Sequence, residues 1–273
     1  MPGLRDWGVT QLGLREWGII APGFNVTSQT PPEDLLGLIK KLRPQDCGLD
    51  LIRIGGATDG GYLVPDDLNE IEYCFSPGVN TISDFENQLA GRGIKSFLAD
   101  YSIDAPPILR REFTFDKKFL GSTNNDEFMT LAAWKNKYLS HYAKDLILQM
   151  DIEGSEYEVI FNVPDDLLDQ FRIIVIEFHS LQLLFEPIMF RLLSMCFEKL
   201  LKSFEVVHIH PNNCGDSVKR GNIEIPMSME FTFLNKKRVT SKAPVHAFPN
   251  KLDLPNAPSR RDIALPSCWY RDI

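Results

Sequence analysis

The chain has 273 residues, of which 44% are hydrophobic and 24% charged, and its formal net charge at pH 7 is −8. A chain of this length can bury the core of one large α/β domain and still carry an appendage. Its acidic balance argues against a nucleic-acid binder or an anionic-membrane binder, because the surfaces of both are basic. We therefore expect small or neutral partners, with no nucleic acid and no membrane among them.

The five cysteines also limit the class of protein. They are an odd number, widely scattered and without a CxxC pair, so neither a zinc site nor a disulfide framework is indicated. Charged residues interrupt the apolar residues of the N-terminal segment, unlike a signal peptide, and no later run approaches the ~18 apolar residues of a membrane span. The sequence predicts a cytoplasmic protein with reduced thiols.

Residues 1–50 are predicted to form an N-terminal appendage followed by a helix. The appendage contains a short echo, LRDWG and then LREWG, which is too brief for a solenoid. Its tryptophans, Trp7 and Trp17, are expected to pack on the main domain or on a second subunit, which leaves a homo-oligomer open. From Pro31, prolines and acids precede leucines at helical spacing, a pattern that predicts one capped helix.

Two Gly-Gly pairs, Gly55-Gly56 and Gly60-Gly61, flank an aspartate just before a β-prone Tyr-Leu-Val. This spacing is not GxxxxGK[ST], so it excludes a phosphate-binding P-loop. Glycine here permits either a tight hairpin turn or a close approach of the backbone to a ligand. The sequence leaves both interpretations open.

Seven short apolar or β-prone runs predict strands, with helical patterns between most of them. The runs are 71–75, 94–98, 113–115, 146–150, 173–178, 204–210 and 225–234. The last is expected to pair antiparallel with the sixth. Two helices are predicted to begin with capping boxes, formed by Ser83 with Glu86 and by Ser155 with Glu158. Further helices are expected over 127–142 and 186–202.

The stretch DLILQMDIEGSEYE is the centre of this pattern, because an apolar strand ends there in carboxylates and a glycine. Ligands bind beyond the carboxyl ends of strands in open parallel sheets, which places Asp151 and Glu153 where chemistry can occur. The alternative is that both are solvated carboxylates favoured by a helix N-terminus. Later strands end in Glu177 and His179, which share a face because they are two residues apart, and in His208-x-His210.

Several of these stretches together resemble the FkbM-type family of S-adenosylmethionine-dependent methyltransferases, over roughly residues 50–255. They are RIGGATDGGYLVPDDL, the glycine turn at Gly78, Asp100, MDIEGSEYEVI, VIEFHSL and FPNKLDLPN. The resemblance implies an α/β, Rossmann-like class I methyltransferase fold with a seven-stranded doubly wound sheet whose last strand is antiparallel. Residues 51–240 would form the S-adenosylmethionine-binding domain and 241–273 an extended C-terminal tail or lid.

The resemblance also implies a place for the cofactor. Ser76, Pro77 and Gly78 would lie under the methionine end of S-adenosylmethionine, although this turn has one glycine where methyltransferase turns often have two or three. Asp100, followed by Tyr101 and Ser102, would hold the ribose. An acidic residue at the end of the second strand, about 20 residues after a glycine turn, is also where a Rossmann-like site holds ribose hydroxyls.

The function implied is O-methylation of a small polar, sugar-like or natural-product acceptor. The acceptor hydroxyl must lose its proton, and the candidate catalytic residues are Asp151, His179, His208 and His210. The alternatives are a non-catalytic binding module that retains the cofactor fold and a metal-dependent hydrolase built on the His208-x-His210 pair.

A divalent cation is also predicted at the strand ends. Asp151 and Glu177 are the expected ligands, with help from His179 or His210, because a hard cation relieves the repulsion between two carboxylates. Magnesium is favoured, and imidazole leaves manganese, iron or zinc open. Alternatively, Glu177 pairs with a basic side chain or backbone amides, and the histidines bond to Asn212 or Asn213.

Overall fold

The structure, a computed structural model, describes residues 29–273, so the predicted roles of Trp7 and Trp17 lie outside the described residues. A seven-stranded sheet forms its centre. In chain order the strands are β1 (Tyr73–Pro77), β2 (Lys95–Ala99), β3 (Phe113–Asp116), β4 (Leu146–Met150), β5 (Phe171–Phe178), β6 (Phe204–Pro211) and β7 (Met229–Asn235). Across the sheet the order is β3-β2-β1-β4-β5-β7-β6.

The sheet is doubly wound, as predicted. Strands β1 to β5 are parallel, and β7 inserts antiparallel between β5 and β6. The order of the strands reverses between β1 and β4, and such a switch point opens a crevice at the carboxyl ends of the strands. The predicted seventh strand, 225–234, starts too early, because Ile223–Pro226 forms a separate hairpin with Ser217–Arg220.

Six α-helices and several short elements complete the described part of the chain. The helices are α1 (Pro32–Lys41), α2 (Asp84–Gly91), α3 (Leu131–Leu139), α4 (Glu156–Asn162), α5 (Asp165–Leu168) and α6 (Pro187–Ser203). Leu51–Ile54 and Tyr62–Pro65 form an antiparallel hairpin, which confirms the hairpin interpretation of the glycine pairs. In residues 29–273, no helix combines the length and the apolar character needed to cross a membrane.

Alternate residues of the central strands enter two different cores. On β4, Leu148 packs into one core and Ile147 into the other, and Ile174 and Val175 on β5 divide in the same way. Helices α1 and α3 to α6 cover the first face, while the hairpin and α2 cover the second. Because both faces are buried, these strands are continuously apolar rather than alternating.

The C-terminal segment 241–273 has few regular elements but is packed onto the domain. Trp269 is fully buried, and its Nε1 donates to the carbonyl oxygen of Glu224 at 3.0 Å. Ala243–Pro244 pairs with Gln45–Asp46, which joins the segment to the chain that follows α1. The C-terminal segment is therefore held against the domain and against the chain that follows α1.

Both predicted capping boxes are wrong, although α2 and α4 begin where they were expected. Neither Ser83 nor Ser155 makes a side-chain cap. Glu156 accepts instead from the backbone N–H groups of Ile152 at 3.1 Å and Gly154 at 3.0 Å. The carboxylate of Glu156 thus fixes the turn after β4 from inside the helix.

Glu86 does not cap α2, and its side chain is instead buried beneath β1. The Ser76 hydroxyl contacts Oε1 of Glu86 and lies 2.5 Å from Oε1 of Gln149. One hydroxyl has a single proton for two acceptors, and a protonated Glu86 that donates to Ser76 satisfies all three groups. Burial raises the pKa of Glu86 to about 7, which agrees with this arrangement.

We expect Glu86→Gln to remove part of the pH dependence of stability. The folded-state pKa of Glu86 is raised to about 7, so its contribution is complete below the unfolded-state pKa and is lost as the pH rises through 7. Urea unfolding at pH 5 and pH 8 should show the variant gaining roughly 2–3 kcal/mol relative to the wild type between the two. The exposed Glu127→Gln is the control, and equal slopes in all three proteins would contradict the assignment.

Candidate functional site

The turns that follow β1 and β4 meet at the switch point of the sheet. Gly78 has a φ of +91°, and a Cβ at this position would lie 1.6 Å from the carbonyl oxygen of Asp151. The Gly78 N–H donates to the Ala99 carbonyl at 2.9 Å, and the Asp151 N–H donates to Pro77 at 3.4 Å. Only glycine allows these backbones to approach so closely.

Four carboxylates surround His179 beyond the ends of β4 and β5. Its Nδ1 lies 3.1 Å from Oε1 of Glu156. Its Nε2 lies 3.4 Å from Oε1 of Glu177 and 3.8 Å from both Asp151 Oδ1 and Glu153 Oε2. The side chain of Glu153 is 77% exposed, whereas those of Glu177 and Asp151 are 2% and 23% exposed. The structure therefore joins Asp151, Glu177 and His179, as the sequence predicted.

The glycine-rich hairpin adds a further carboxylate. Asp59 lies in the loop between its strands, where a Cβ on Gly55 would be 2.2 Å from the carbonyl oxygen of Gly60. One carboxylate oxygen each from Asp59, Asp151 and Glu177 lies within 4.8 Å of the others. The close folding of the loop thus brings Asp59 to the ends of β4 and β5.

The proximity of these groups alters their protonation. Burial raises the pKa of Glu177 to about 8, and burial together with the charge of Glu177 raises that of Asp151. Burial opposes protonation of His179, but the hydrogen bond with Glu156 and the charges of Glu156, Glu177 and Asp151 hold its pKa well above the ordinary value. These contacts favour the protonated form of His179, which argues against its predicted role as the base.

His208 and His210, the other two histidines among the candidate catalytic residues, lie away from this cluster. His208 Nε2 is 2.9 Å from Oδ1 of Asp253, and His210 Nδ1 is 3.6 Å from Oδ2. Burial opposes ionisation of Asp253, yet the two histidines hold its pKa below the ordinary value.

Across the sheet, His210 pairs with Glu230, which in turn pairs with Glu177. Two strand spacings place His210 roughly 10 Å from Glu177. In residues 29–273, the clusters able to hold a metal ion do not include His210, so it is not brought together with Asp151 and Glu177 as a ligand. Glu177 itself accepts from Nδ2 of Asn212 at 2.7 Å.

Asp100, the predicted ribose ligand, directly follows β2, and its carboxylate bonds to the backbone of two neighbouring loops. Its Oδ2 accepts from the Asn80 N–H at 2.7 Å, and its Oδ1 accepts from the Ser102 N–H at 2.8 Å and the Ser102 hydroxyl at 2.6 Å. Tyr101 packs with its ring centroid 5.2 Å from that of Phe119. The side chain of Ser76 is fully buried in the Glu86 network, so only its backbone can face the crevice.

Left-handed backbone also marks this edge of the sheet. Asn80, Glu153 and Ser180 have φ values of +44°, +57° and +58° and follow the ends of β1, β4 and β5. Such conformations cost roughly 1–3 kcal/mol each, and they cluster at functional sites. The strain supports placing the site at these three loops.

Two acidic residues of the site, Asp59 and Glu156, and two acidic residues near the histidines of β6, Glu230 and Asp253, were not identified from the sequence. Asp59 was seen only as a residue between glycines, and Glu156 as part of a capped turn. Glu230 starts β7, and Asp253 lies in the C-terminal segment. The signal available for Asp253 was its place within FPNKLDLPN, since that stretch was part of the family resemblance.

A comparison with protein families supports a methyltransferase. A family model of the Methyltransferase FkbM domain matches residues 112–213, which span β3 to β6 and include Asp151, Glu177 and His179. The resemblance noted in the sequence is confirmed over these residues. Residues Asp59, Gly78 and Asp100 lie outside the match.

Among solved structures, the chain resembles a putative DNA modification methyltransferase encoded within a prophage of E. coli. The two share 8% sequence identity at a TM-score of 0.43, and the similarity covers 67% of this chain and 52% of that one. The chain thus spans about half the length of that structure. No curated protein matches the chain.

We expect Gly78→Ala to destabilise the protein by about 3 kcal/mol or more, because it adds both left-handed strain and a clash with the backbone of Asp151. Gly93→Ala is the matched control. Gly93 has a φ of +84°, but no heavy atom lies within 4 Å of its Cβ position. It should lose only about 1–2 kcal/mol. Equal losses for both variants in urea unfolding would show that the Gly78–Asp151 contact is not tight.

Proposed function

We propose that the protein transfers a methyl group from S-adenosylmethionine to a hydroxyl of a small polar, sugar-like or natural-product acceptor. The observation that carries this proposal is the contact between the Gly78 turn and Asp151. The acidic cluster lies directly beside the turn to which the resemblance noted in the sequence assigns the cofactor.

The residues at the ends of β1 and β2 fit the cofactor. Gly78 presents backbone without a side chain at the switch point, where ligands of doubly wound sheets bind. Oδ1 of Asp100 already accepts two hydrogen bonds from Ser102, whereas Oδ2 accepts only one, from the Asn80 N–H. Oδ2 can therefore accept a further hydrogen bond, which a ribose hydroxyl can donate. When bound, S-adenosylmethionine supplies an electrophilic methyl group on a sulfonium.

Asp151 is the residue we assign to the acceptor. Its side chain is the most exposed of the three joined groups, and its Oδ1 has no hydrogen-bond partner. Asp151 would accept the proton of the acceptor hydroxyl as that oxygen takes the methyl group that bound S-adenosylmethionine would supply. His179, held by Glu156, balances the negative charge and positions Asp151 and Glu177.

Two other functions have weaker support. A non-catalytic binding module would not need the convergence of Asp151, Glu177 and His179. A hydrolase built on the His208-x-His210 pair would need a third metal ligand and an open coordination position. Both histidines are nearly fully buried against Asp253, and the described residues contain no metal-binding group with either of them.

Replacing Asp100 tests the cofactor site. Asp100→Ala should weaken S-adenosylmethionine binding by ~1.5–3 kcal/mol in calorimetry, because hydrogen bonds to a charged group are lost. Asp104→Ala, at a nearby aspartate whose side chain is 93% exposed, is the control and should bind as the wild type does. Unchanged affinity in a folded Asp100→Ala protein would mean that the cofactor binds elsewhere.

Incubation with methyl-labelled S-adenosylmethionine and a panel of sugars, nucleotides and phenols tests the reaction. We expect label in at least one hydroxylated acceptor and a loss of about 10²–10⁴ in kcat for Asp151→Asn, since the proton acceptor is removed. Glu158→Gln, which alters a carboxylate bonded to Ser122, should retain full turnover. Cofactor binding without label transfer across the panel would favour the binding module.

A further inference from the structure

We infer that Asp59, Asp151 and Glu177 form a site for a hard divalent cation, magnesium or manganese, which holds the acceptor. The role in catalysis rests on the proposed methyl transfer, whereas the site itself does not. The three residues come from the hairpin loop and from the ends of β4 and β5, and one oxygen of each lies within 4.8 Å of the others.

The buried carboxylate of Glu177 is the independent sign of a ligand. Its side chain is 2% exposed, and while Oε1 accepts from Asn212 at 2.7 Å, Oε2 has no hydrogen-bond partner. Oδ1 of Asp151 is also buried without a partner. A buried carboxylate oxygen without a partner is costly, so it indicates a missing positive group.

The cationic side chains in the described part of the chain do not supply that group. His179 Nδ1 is engaged by Glu156, and its Nε2 stands 3.4 Å and 3.8 Å from Glu177 and Asp151. Arg53 donates to the carbonyls of Gly56 and Thr58 within the hairpin loop. Over residues 29–273, the ion pairs of Asp59, Asp151 and Glu177 involve no lysine or arginine.

The charge of the cluster agrees with a bound dication. Asp151, Glu156 and Glu177 lie around the imidazole of His179, and Asp59 lies beside Asp151 and Glu177. With these four carboxylates ionised and the imidazole protonated, a divalent ion would bring the summed charge of the five groups from −3 to −1. Three carboxylate oxygens form a hard ligand set, which favours magnesium or manganese over zinc. This choice replaces His210, the ligand predicted from the sequence, with Asp59.

The ligand set also narrows the acceptor. Magnesium prefers six oxygen ligands, and three protein carboxylates leave positions for water and for substrate oxygens. An acceptor with two adjacent oxygens, such as a vicinal diol of a sugar, can occupy two of these positions at once. The ion would fix the orientation of that acceptor and lower the pKa of the hydroxyl bound to it.

The hairpin loop is built to present Asp59 to this site. The Asp59 N–H donates to the carbonyl of Asn256 at 3.1 Å, and its Oδ1 accepts from Gly60 at 3.0 Å. These contacts fix the backbone and leave Oδ2 available. The cation would thereby connect the hairpin to the central sheet.

Manganese titration of the full chain, followed by electron paramagnetic resonance of the free ion and without cofactor or acceptor, tests the site. We expect one manganese ion per chain, displaced by magnesium. Asp59→Asn and Glu177→Gln should each weaken binding at least about tenfold, and Glu158→Gln should not change it. Circular dichroism melts would show that the variants fold, and Asp59 lies in a loop where folding should persist.

No manganese bound to the wild type would overturn the site, and equal binding by wild type, Asp59→Asn and Glu177→Gln would overturn the ligand set. Chelator treatment and magnesium add-back, measured on label transfer, then test the catalytic role. Loss and recovery of turnover support it, whereas full turnover in chelator would refute it. Manganese binding is measured without S-adenosylmethionine and without an acceptor, so its result does not depend on methyl transfer. Failure of the metal site and failure of the methyl-transfer proposal can therefore be distinguished.

Discussion

The close packing of the Gly78 turn on the backbone of Asp151 is the constraint on which the site depends. It joins the two strands on either side of the switch point, β1 and β4, where the sheet opens. Since a Cβ at residue 78 would lie 1.6 Å from a carbonyl oxygen, the turn tolerates only glycine. The acidic residues that follow β4 are therefore held beside the first turn of the sheet.

Around this contact, the described part of the chain collects more carboxylates than basic groups. Asp151, Glu156 and Glu177 lie around His179, Asp59 lies beside Asp151 and Glu177, and several of these oxygens are buried without partners. Removing charges from water is costly unless they are paired. Because unpaired buried carboxylates destabilise the fold, ligand binding explains this cluster better than a contribution to stability does.

A second polar cluster fastens the C-terminal segment to the outer strands. Asp253 lies against His208 and His210, and Nδ2 of Asn256 donates to Oε1 of Glu230 at 2.7 Å. Asn213 accepts from the N–H of Ala257 at 2.7 Å. The histidines of β6 thus lie at the boundary between the sheet and the C-terminal segment, where both contact Asp253.

The sequence by itself determined the strands of the central sheet and the edge of the sheet at which the candidate site lies. Continuous apolar runs marked strands buried on both faces, and carboxylates at their ends marked the edge where Asp151, Glu177 and His179 meet, because parallel strands end together. Helix starts were also evident, but not their caps, since Glu86 and Glu156 form contacts beyond the local sequence.

Only the tertiary structure decided which polar residues share a site. Asp59 reaches the cluster through a folded hairpin, and Asp253 draws His208 and His210 to the C-terminal segment. These contacts join residues far apart in the chain, so no local periodicity records them. The raised pKa of His179 could not be predicted from the sequence either, because it depends on three carboxylates, Asp151, Glu156 and Glu177, that only the folded chain brings together.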